Sequence, residues 1–600
     1  MTALDKPYKK VFYIPTRNHL NTVREQIDFS ADLILTFDFS VKKATLSMGG
    51  DCEYIDKIVS AQEMNPNNFT LQEFIENWNF DQNQLDLFSY GEVEFGQSFQ
   101  IDFISELYSA IRLAIGFSRL ARVSYEQIIL VNPEEIITNV LNDLKIEFTS
   151  QILEVTNLQE SFFFDVNSYM RQSLYKKSIK QKIFLYVKNL LGILYQIRSS
   201  KENSFKKTIY IQLYHPTFGI LEKFRKSNVV NPLLAPGVNF GSIKEIFKQE
   251  SIPMYRNKKS HSKYAKSTIE NYRKLRTREL VFDDGSNLTN SAYRVIDKYV
   301  ENKASEAIKI IDSIRKYLEV QSIDLLILVT NYGFFDSILF SVAKNHNIPS
   351  YMMINGMLIS KYGNDSKRAT LINAYGATMA RDYFKDCKNV VSLGDPRMDK
   401  YASQFQGNTR ILETDTFVIG IGTAGLNNTD LVSYSAFEFE FMYECLSAIQ
   451  LVRDSGKAIE IRLRVRANGV VNMYRRFVRE YFPDLKIIFC QNESLVDYFS
   501  KLNLYVTFYS QTILEASAMG VPAIYFKVDE EDLHPPFDSK SEVVTAKSRA
   551  DLFKLMKDFN SDSQVYRNFM DPATLEKYIG FIDGGNLQRN IKAIEGMLET

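Results

Sequence analysis

The sequence predicts an α/β protein of two Rossmann-like, doubly wound lobes facing a cleft, with a large helical insert in the N-terminal lobe. Three observations predict it. A chain of 600 residues exceeds the size at which one hydrophobic core keeps growing, so several domains are expected. Short apolar runs alternate with helical patterns in two series, at 324–354 and 416–526, as parallel βαβ units require. Between about 100 and 275 the apolar residues instead recur at every third and fourth position, the period of a helix face.

Residues 1–99 form the first part of the N-terminal lobe, where VFYIP (Val11–Pro15) and DLILTFDF (Asp32–Phe39) are apolar runs of strand length. Residues 100–275 form the helical insert, through stretches such as ISELYSAIRLAIGFSRLARV and KQKIFLYVKNLLGILYQIRSS. Residues 276–405 complete the lobe with the strand DLLILV (Asp324–Val329), a helix through FDSILFSVAKNH and the strand SYMMI (Ser350–Ile354). The basic stretch KYASQFQGNTR (400–410) reads as the interlobe linker. Residues 406–600 form the C-terminal lobe, with strands at Thr416–Gly422, Ala458–Val465, Lys486–Cys490, Leu502–Phe508 and Ala523–Phe526.

Hydrophobic residues at 45% and charged residues at 24% match a globular chain without long disordered tails. Lys plus Arg equals Asp plus Glu at 72 each, so no global field attracts nucleic acid, and phosphates must be held by local clusters. Cys52, Cys387, Cys445 and Cys490 lie far apart without a CxxC pair, which suggests neither a zinc site nor a disulfide framework. No apolar run has the length of a signal peptide or a membrane span, so a cytoplasmic protein is expected.

The stretch LNLYVTFYSQTILEASAMGVPAIYF (502–526) runs a strand directly into a helix. The unpaired N–H groups and dipole at such a helix start suit an anion at the carboxyl end of the sheet. Ser510 is expected to cap the helix, the backbone N–H groups of Gln511 and Thr512 to face the anion, Ser510 and Thr512 to contact phosphate, and Glu515, one turn in, to reach a ribose hydroxyl. Gly520 and Pro522 stop the helix, and taken singly these residues are also ordinary helix punctuation.

This same stretch resembles the donor-binding strand and helix of GT-B glycosyltransferases, especially those of bacterial capsule and lipopolysaccharide synthesis. NESLVDYFSKLNLYVTF, which carries Glu493, resembles that branch's preceding helix and strand, and GFIDGGNLQRNIKAIEGML (580–598) its closing helix. LGDPRMDKY (393–401) resembles the Gly-x-Pro-Arg-x-Asp segment that ends such N-terminal lobes. HNIPSYMMINGM (346–357) resembles the strand before the family's His-Gly pair, which here is Asn355-Gly356.

The family's His-Pro pair is missing after IRLRV, where Arg462, Arg464 and Arg466 stand on one face of a strand. Either Arg464 or Arg466 binds a donor phosphate or carboxylate, or this is an edge strand with solvated arginines. Gly420, Gly422 and Gly425 in VIGIGTAGLNN resemble the family's glycine-rich loop, which places Gly422 and Thr423 beside the donor. As a dinucleotide fingerprint the loop lacks a clear acidic partner among Glu438, Glu440 and Glu444. The donor-binding set is therefore Gly422, Thr423, Arg464, Arg466, Glu493, Ser510, Gln511, Thr512 and Glu515.

Glycosyl transfer needs a base at the acceptor hydroxyl. Asp283-Asp284-Gly285 resembles the acidic motif of bacterial sialyltransferases of this fold, although DDGSN is also a good turn. His19 and Asp336 are the reserves. No DxD loop or metal-ligand spacing is found, so no metal and no cofactor are expected, with arginines and helix N-termini carrying the phosphate charge. The resemblance implies a nucleotide-sugar donor, with a tilt to a CMP-activated acidic sugar such as Kdo or a sialic-acid-like sugar, and a glycan or lipid-linked glycan acceptor. A CDP-glycerol-type polyol-phosphate transferase, a nucleotide-sugar 2-epimerase of the same fold and a non-catalytic binding module are the alternatives. The basic runs KFRKSN and YRNKKSHSKYAKS suit either peripheral contact with the cytoplasmic face of the inner membrane or a solvated helix face.

Overall fold

The computed structural model describes residues 6–58, 60–120, 123–154, 162, 206–236, 250–356, 367–385, 387–402, 415–423, 434, 436–466, 471–527 and 533–599. Their strands form three parallel sheets and one short hairpin. The first sheet holds β1 (Lys10–Tyr13), β2 (Leu33–Thr36), β3 (Asp51–Tyr54), β6 (Gln127–Val131) and β7 (Thr149–Gln151), in the order β3-β2-β1-β6-β7. The hairpin β4 (Ser89–Tyr90) and β5 (Val93–Glu94) stands apart from it. Helices α1 (Arg17–Val23), α2 (Phe39–Ser47) and α3 (Gln100–Leu120) belong to this unit.

The middle sheet runs β10-β9-β8-β11-β12-β13-β14, from β8 (Lys207–Ile211), β9 (Val230–Leu234) and β10 (Glu250–Ser251) to β11 (Leu325–Leu328), β12 (Ser350–Met353), β13 (Leu371–Asn373) and β14 (Val390–Val391). Between its two halves lie α4 (Lys259–Leu275) and the long α5 (Thr289–Leu318), and α6 (Phe334–Asn345) joins β11 to β12. The third sheet runs β17-β16-β15-β18-β19-β20, from β15 (Phe417–Gly422), β16 (Ile459–Arg464), β17 (Ile487–Phe489), β18 (Leu504–Thr507), β19 (Ala523–Phe526) and β20 (Val544–Ala546). With it go α7 (Phe437–Asp454), α8 (Val471–Tyr481) and α9 (Thr512–Ala518), while the last helix, α10 (Asn586–Glu599), returns to the core of the middle lobe. β11, β12, β15, β18 and β19 are buried along their whole length, as strands covered on both faces must be, and this is why their sequences read as unbroken apolar runs.

The middle and third sheets are the two doubly wound lobes that the sequence predicts. The structure corrects the boundaries of the first. β1 and β2 do not join the N-terminal lobe sheet; they pair with β3 and β6 in a domain of their own. Residues 100–275 are not a helical insert, because β6, β7, β8, β9 and β10 lie within them and supply strands to two sheets. A short apolar run such as KTIYI is indistinguishable by periodicity from a piece of helix, and only its pairing with β11 decides the matter. The stretch KQKIFLYVKNLLGILYQIRSS, most of the linker stretch and Gly425 lie outside the described residues.

The units interlock. Asn590 of α10 accepts from Tyr351 Oη at 2.6 Å and Asn373 Nδ2 at 2.7 Å, so the C-terminal helix is seated in the middle lobe. Chain crossing there is tight: Gly394 and Gly580 both have φ near +80°, and a Cβ on Gly580 would stand 2.2 Å from Gly394 Cα. The first domain shares one hydrophobic core with the middle lobe, yet its Phe39 and Tyr54 enter the core of the third. Phe39 packs its ring against Tyr443, Phe477 and Tyr481 at 5.3–5.6 Å, and Tyr54 Oη donates to Glu440 at 2.6 Å. No helix among the described residues is long and apolar enough to cross a membrane. Phe39→Ala is expected to lower stability by about 3 kcal/mol, the cost of an emptied aromatic site, and urea unfolding followed by fluorescence and circular dichroism checks it.

Candidate functional site

The strand order of an open α/β sheet reverses at one point, and ligands bind at the carboxyl ends of the strands beside it. In the third sheet the reversal falls between β15 and β18, and in the middle sheet between β8 and β11. Gly422 and Thr423 end the first strand of the former pair, and Phe508 to Thr512 follow the second. Tyr509 takes a left-handed φ of 41°, which turns the chain abruptly from β18 into α9. Gln511, rather than Ser510, is the residue that opens the helix, while the Ser510 hydroxyl accepts the Thr512 N–H at 3.3 Å. The Thr512 hydroxyl lies 2.7 Å from that of Ser510 and 2.6 Å from that of Tyr505, forming a chain of three hydroxyls. Gly520 at φ 71° follows the helix end, as the sequence predicts.

One turn into α9, Glu515 is 7% exposed, and its Oε2 has neither water access nor a hydrogen-bond partner. Burial raises its pKa above the usual 4.5, against the opposing pull of Lys400, Arg397 and Arg464. The carboxylate also faces the buried Tyr401 hydroxyl, whose pKa burial and Glu515 raise, so a protein donor as well as three cations surrounds it.

The segment after β14 brings the middle lobe to this site. Arg397 grips Asp395 with two parallel bonds, Nε to Oδ1 at 2.9 Å and Nη2 to Oδ2 at 2.7 Å, and donates to the Asn355 carbonyl at 3.1 Å. Gln511 completes the cluster, donating to Asp395 Oδ2 at 2.9 Å and accepting from Arg397 Nη2 at 3.1 Å. The Gln511 side chain is therefore bound across the lobes.

His215 falls within the stretch that the sequence predicts as the helical insert. It opens a 3-10 turn, His215–Thr217, at the carboxyl end of β8, beside the middle lobe's own reversal point. Partial burial lowers its pKa, and Arg397, Arg466 and Lys400 lower it further, so those cations and the imidazole share one space. The signal was an apolar run ending in His-Pro; assigning that run to a helix hid it.

The remaining predicted residues divide. Arg464 ends β16 and Arg466 follows it, and β16 is an interior strand and not the solvated edge considered above. Arg464 Nη1 donates to the Glu493 carbonyl at 2.7 Å, and Arg466 N–H donates to Thr423 Oγ1 at 3.2 Å. Partial burial raises the pKa of the Glu493 carboxylate, but its bond to Lys501 outweighs this and holds it low. Gly422 is small for a protein reason, since a Cβ there would meet the Tyr505 hydroxyl at 1.9 Å. Glu438, Glu440 and Glu444 are held by Tyr474, Tyr54 and Arg549.

Asp283 and Asp284 occupy an exposed turn with Gly285 at φ 82°. Partial burial would raise the Asp284 pKa, but bonds from Ser286 and the charge of Arg119 hold it below the usual value. His19 is buried in the first domain, its Nδ1 2.7 Å from Thr16 Oγ1 and its Nε2 2.9 Å from Asn132 Nδ2. Asn132 exchanges two bonds with the Leu153 backbone, which fixes its amide as the donor and His19 as the neutral Nδ1–H tautomer. Asp336 accepts from Tyr210 Oη at 2.5 Å, its pKa raised by burial. Among the described residues, no hydrogen bond or ion pair links Asp283, Asp284 or His19 to the Glu515 cluster.

No family model matches the sequence, and no curated protein matches it. Among solved structures, UDP-GlcNAc 2-epimerase from Neisseria meningitidis bound to UDP-GlcNAc is 10% identical and covers 66% of this chain and 100% of its own, with a TM-score of 0.38. The wall teichoic acid polymerase TagF is 14% identical over 73% of this chain and 100% of its own, at a TM-score of 0.37. MurG from Acinetobacter baumannii is 12% identical over 65% and 99%, at 0.36. Scores of this size carry no argument about activity, and the fold stands on the sheets themselves.

Glu515→Gln is expected to stabilise the protein at neutral pH. A carboxyl whose folded pKa is raised contributes stability that is present below 4.5 and is lost as pH rises through the folded value. The variant's advantage in melting temperature should therefore be absent at low pH and grow through that window. Asp283→Asn combined with Asp284→Asn should change stability by no more than about 1 kcal/mol, the scale of a surface ion pair, and leave ligand-induced shifts in melting temperature unchanged.

Proposed function

We propose that this chain is a glycosyltransferase that moves a sugar from a nucleotide donor, a CMP-activated acidic sugar such as Kdo or a sialic-acid-like sugar, to a surface glycan acceptor. The observation that carries the reading is the buried Glu515 carboxylate, one turn into the helix that the Ser510–Thr512 hydroxyls open at the carboxyl end of the third sheet, with Lys400, Arg397 and Arg464 around it. In this reading the carboxylate accepts a ribose hydroxyl, and Ser510 and Thr512 meet the donor phosphate. Lys400, Arg464 and Arg466 carry the negative charge of donor and leaving group, a role that suits an acidic, phosphate-linked sugar.

His215 is the base of this reaction. Its lowered pKa keeps the imidazole neutral near pH 7, so it can take the proton of an acceptor hydroxyl. The acceptor oxygen then bonds to the anomeric carbon as the bond from that carbon to the donor phosphate breaks, and the nucleotide departs among the cations. No metal enters this scheme. A lipid-linked acceptor at the inner membrane fits α4, which buries His261, Ala265, Ile269 and Tyr272 and exposes Lys259, Lys263, Lys266 and Lys274.

Melting temperatures with CMP, CDP, UMP, UDP and GDP, each with and without EDTA, test the donor. Selective stabilisation by CMP that EDTA leaves unchanged is expected. Stabilisation by CDP instead would replace the sugar by a polyol phosphate, and no stabilisation by any nucleotide at millimolar concentration would end the reading. His215→Ala should keep the nucleotide shift while lowering turnover by about 10²- to 10⁴-fold.

A further inference from the structure

A cavity of about 320 Å³ lies away from the Glu515 cluster and shares no residue with it. It opens where the first domain meets the middle lobe. Gln97 and Gln100 come from the chain after the hairpin β4–β5, and Ser337, Phe340, Ser341 and Lys344 from one face of α6. Its third wall is the lead into β13, with Arg368 and Thr370, and Asn331 and Tyr332 close it just beyond the carboxyl end of β11.

Three features distinguish this space from a packing gap. Its walls combine side-chain amides, hydroxyls and the rings of Phe80, Tyr332 and Phe340, the mixture of donors, acceptors and flat apolar faces that fits a sugar ring. Asn331 Nδ2 is shut from water and has no acceptor in the protein, a vacancy that a bound hydroxyl or carbonyl oxygen fills. Lys344 and Arg368 stand exposed in the wall with no ion-pair partner among the described residues, and they face two carboxylates, the exposed Glu94 and the buried Asp86, which accepts the Phe88 and Gly96 N–H groups and whose pKa burial pushes up to about 7.

We infer that this pocket is a second carbohydrate site, which holds an acidic sugar residue of the acceptor glycan while its growing end lies in the cleft. The inference rests on the transferase reading for its purpose, though not for its binding chemistry. Asn331 and Tyr332 follow β11, one of the two strands at the middle lobe's reversal point, and from there the pocket runs along α6 to the starts of β12 and β13. Amides and rings recognise the sugar, and Lys344 with Arg368 recognises its carboxylate.

Saturation-transfer NMR on the full chain, with digalacturonic acid and a neutral galactose disaccharide as probes, tests it. The acidic disaccharide is expected to bind at millimolar concentration, about tenfold more tightly than the neutral one. Ser341→Trp, which fills the pocket, should abolish binding. Lys344→Ala with Arg368→Ala, both exposed positions, should erase the preference for the acidic probe and keep binding of the neutral one. Both variants should retain the nucleotide-induced shift in melting temperature, which separates this site from the donor site. Wild-type protein that binds neither disaccharide, or binding that survives Ser341→Trp unchanged, would overturn the inference even if the nucleotide shift is intact. Loss of the nucleotide reading with disaccharide binding preserved would leave the pocket standing as a carbohydrate site.

Discussion

The Arg397–Asp395 pair, locked by Gln511, is the constraint on which the rest of this structure depends. Asp395 is fully buried, and an ion pair so placed tolerates no loss of one partner, because the other charge would then be stranded in a low dielectric. Arg397 and Asp395 lie on the strip that leaves the middle lobe, and Gln511 on the turn into the helix of the third lobe, so satisfying the charges fixes one lobe against the other. The strip is held from its far side too, where Asp399 accepts the N–H groups of Asn586 and Leu587 at the start of α10. Burial lowers the pKa of the guanidinium, but its acidic neighbours raise it further, so it stays charged beside Glu515 and His215. The group that sets the geometry of the cleft thus also sets its electrostatics.

Three sheets of like winding have been given different work. In the first domain the carboxyl edge of the sheet is satisfied internally: His19, Thr16 and Asn132 use one another, and Asp38 accepts from Ser40 and from the Phe162 backbone. That edge is then covered by α8, through Arg17 with Glu480 and Phe39 with Phe477. It serves as a docking surface. The edges of the other two sheets are brought together by the Arg397 strip, which bonds Asp395 to Gln511 across them.

Much of this was legible along the chain. The strands of the third lobe, the turn at Tyr509 and Ser510, the helix stop at Gly520 and the inward placement of Glu515 all follow from local rules: apolar runs, caps and glycine at positive φ. The misreadings arose where a local rule has two outcomes. KTIYI fits a strand or a helix face, and DDGSN fits an acidic site or a turn; the structure makes them the central strand β8 and an exposed turn beside Arg119.

What the sequence by itself determined is therefore the secondary structure of the later lobes and the chemistry available at each loop, because both depend on residues a few positions apart. Only the tertiary structure decided which sheet β1 and β2 enter, that His215 meets Arg466 and Lys400, and that Gln511 reaches Asp395, 116 positions away in sequence. Those outcomes depend on packing and on electrostatic fields between distant segments. A charge carries no partner in its own neighbourhood of the chain, so periodicity and spacing are blind to where it will be neutralised.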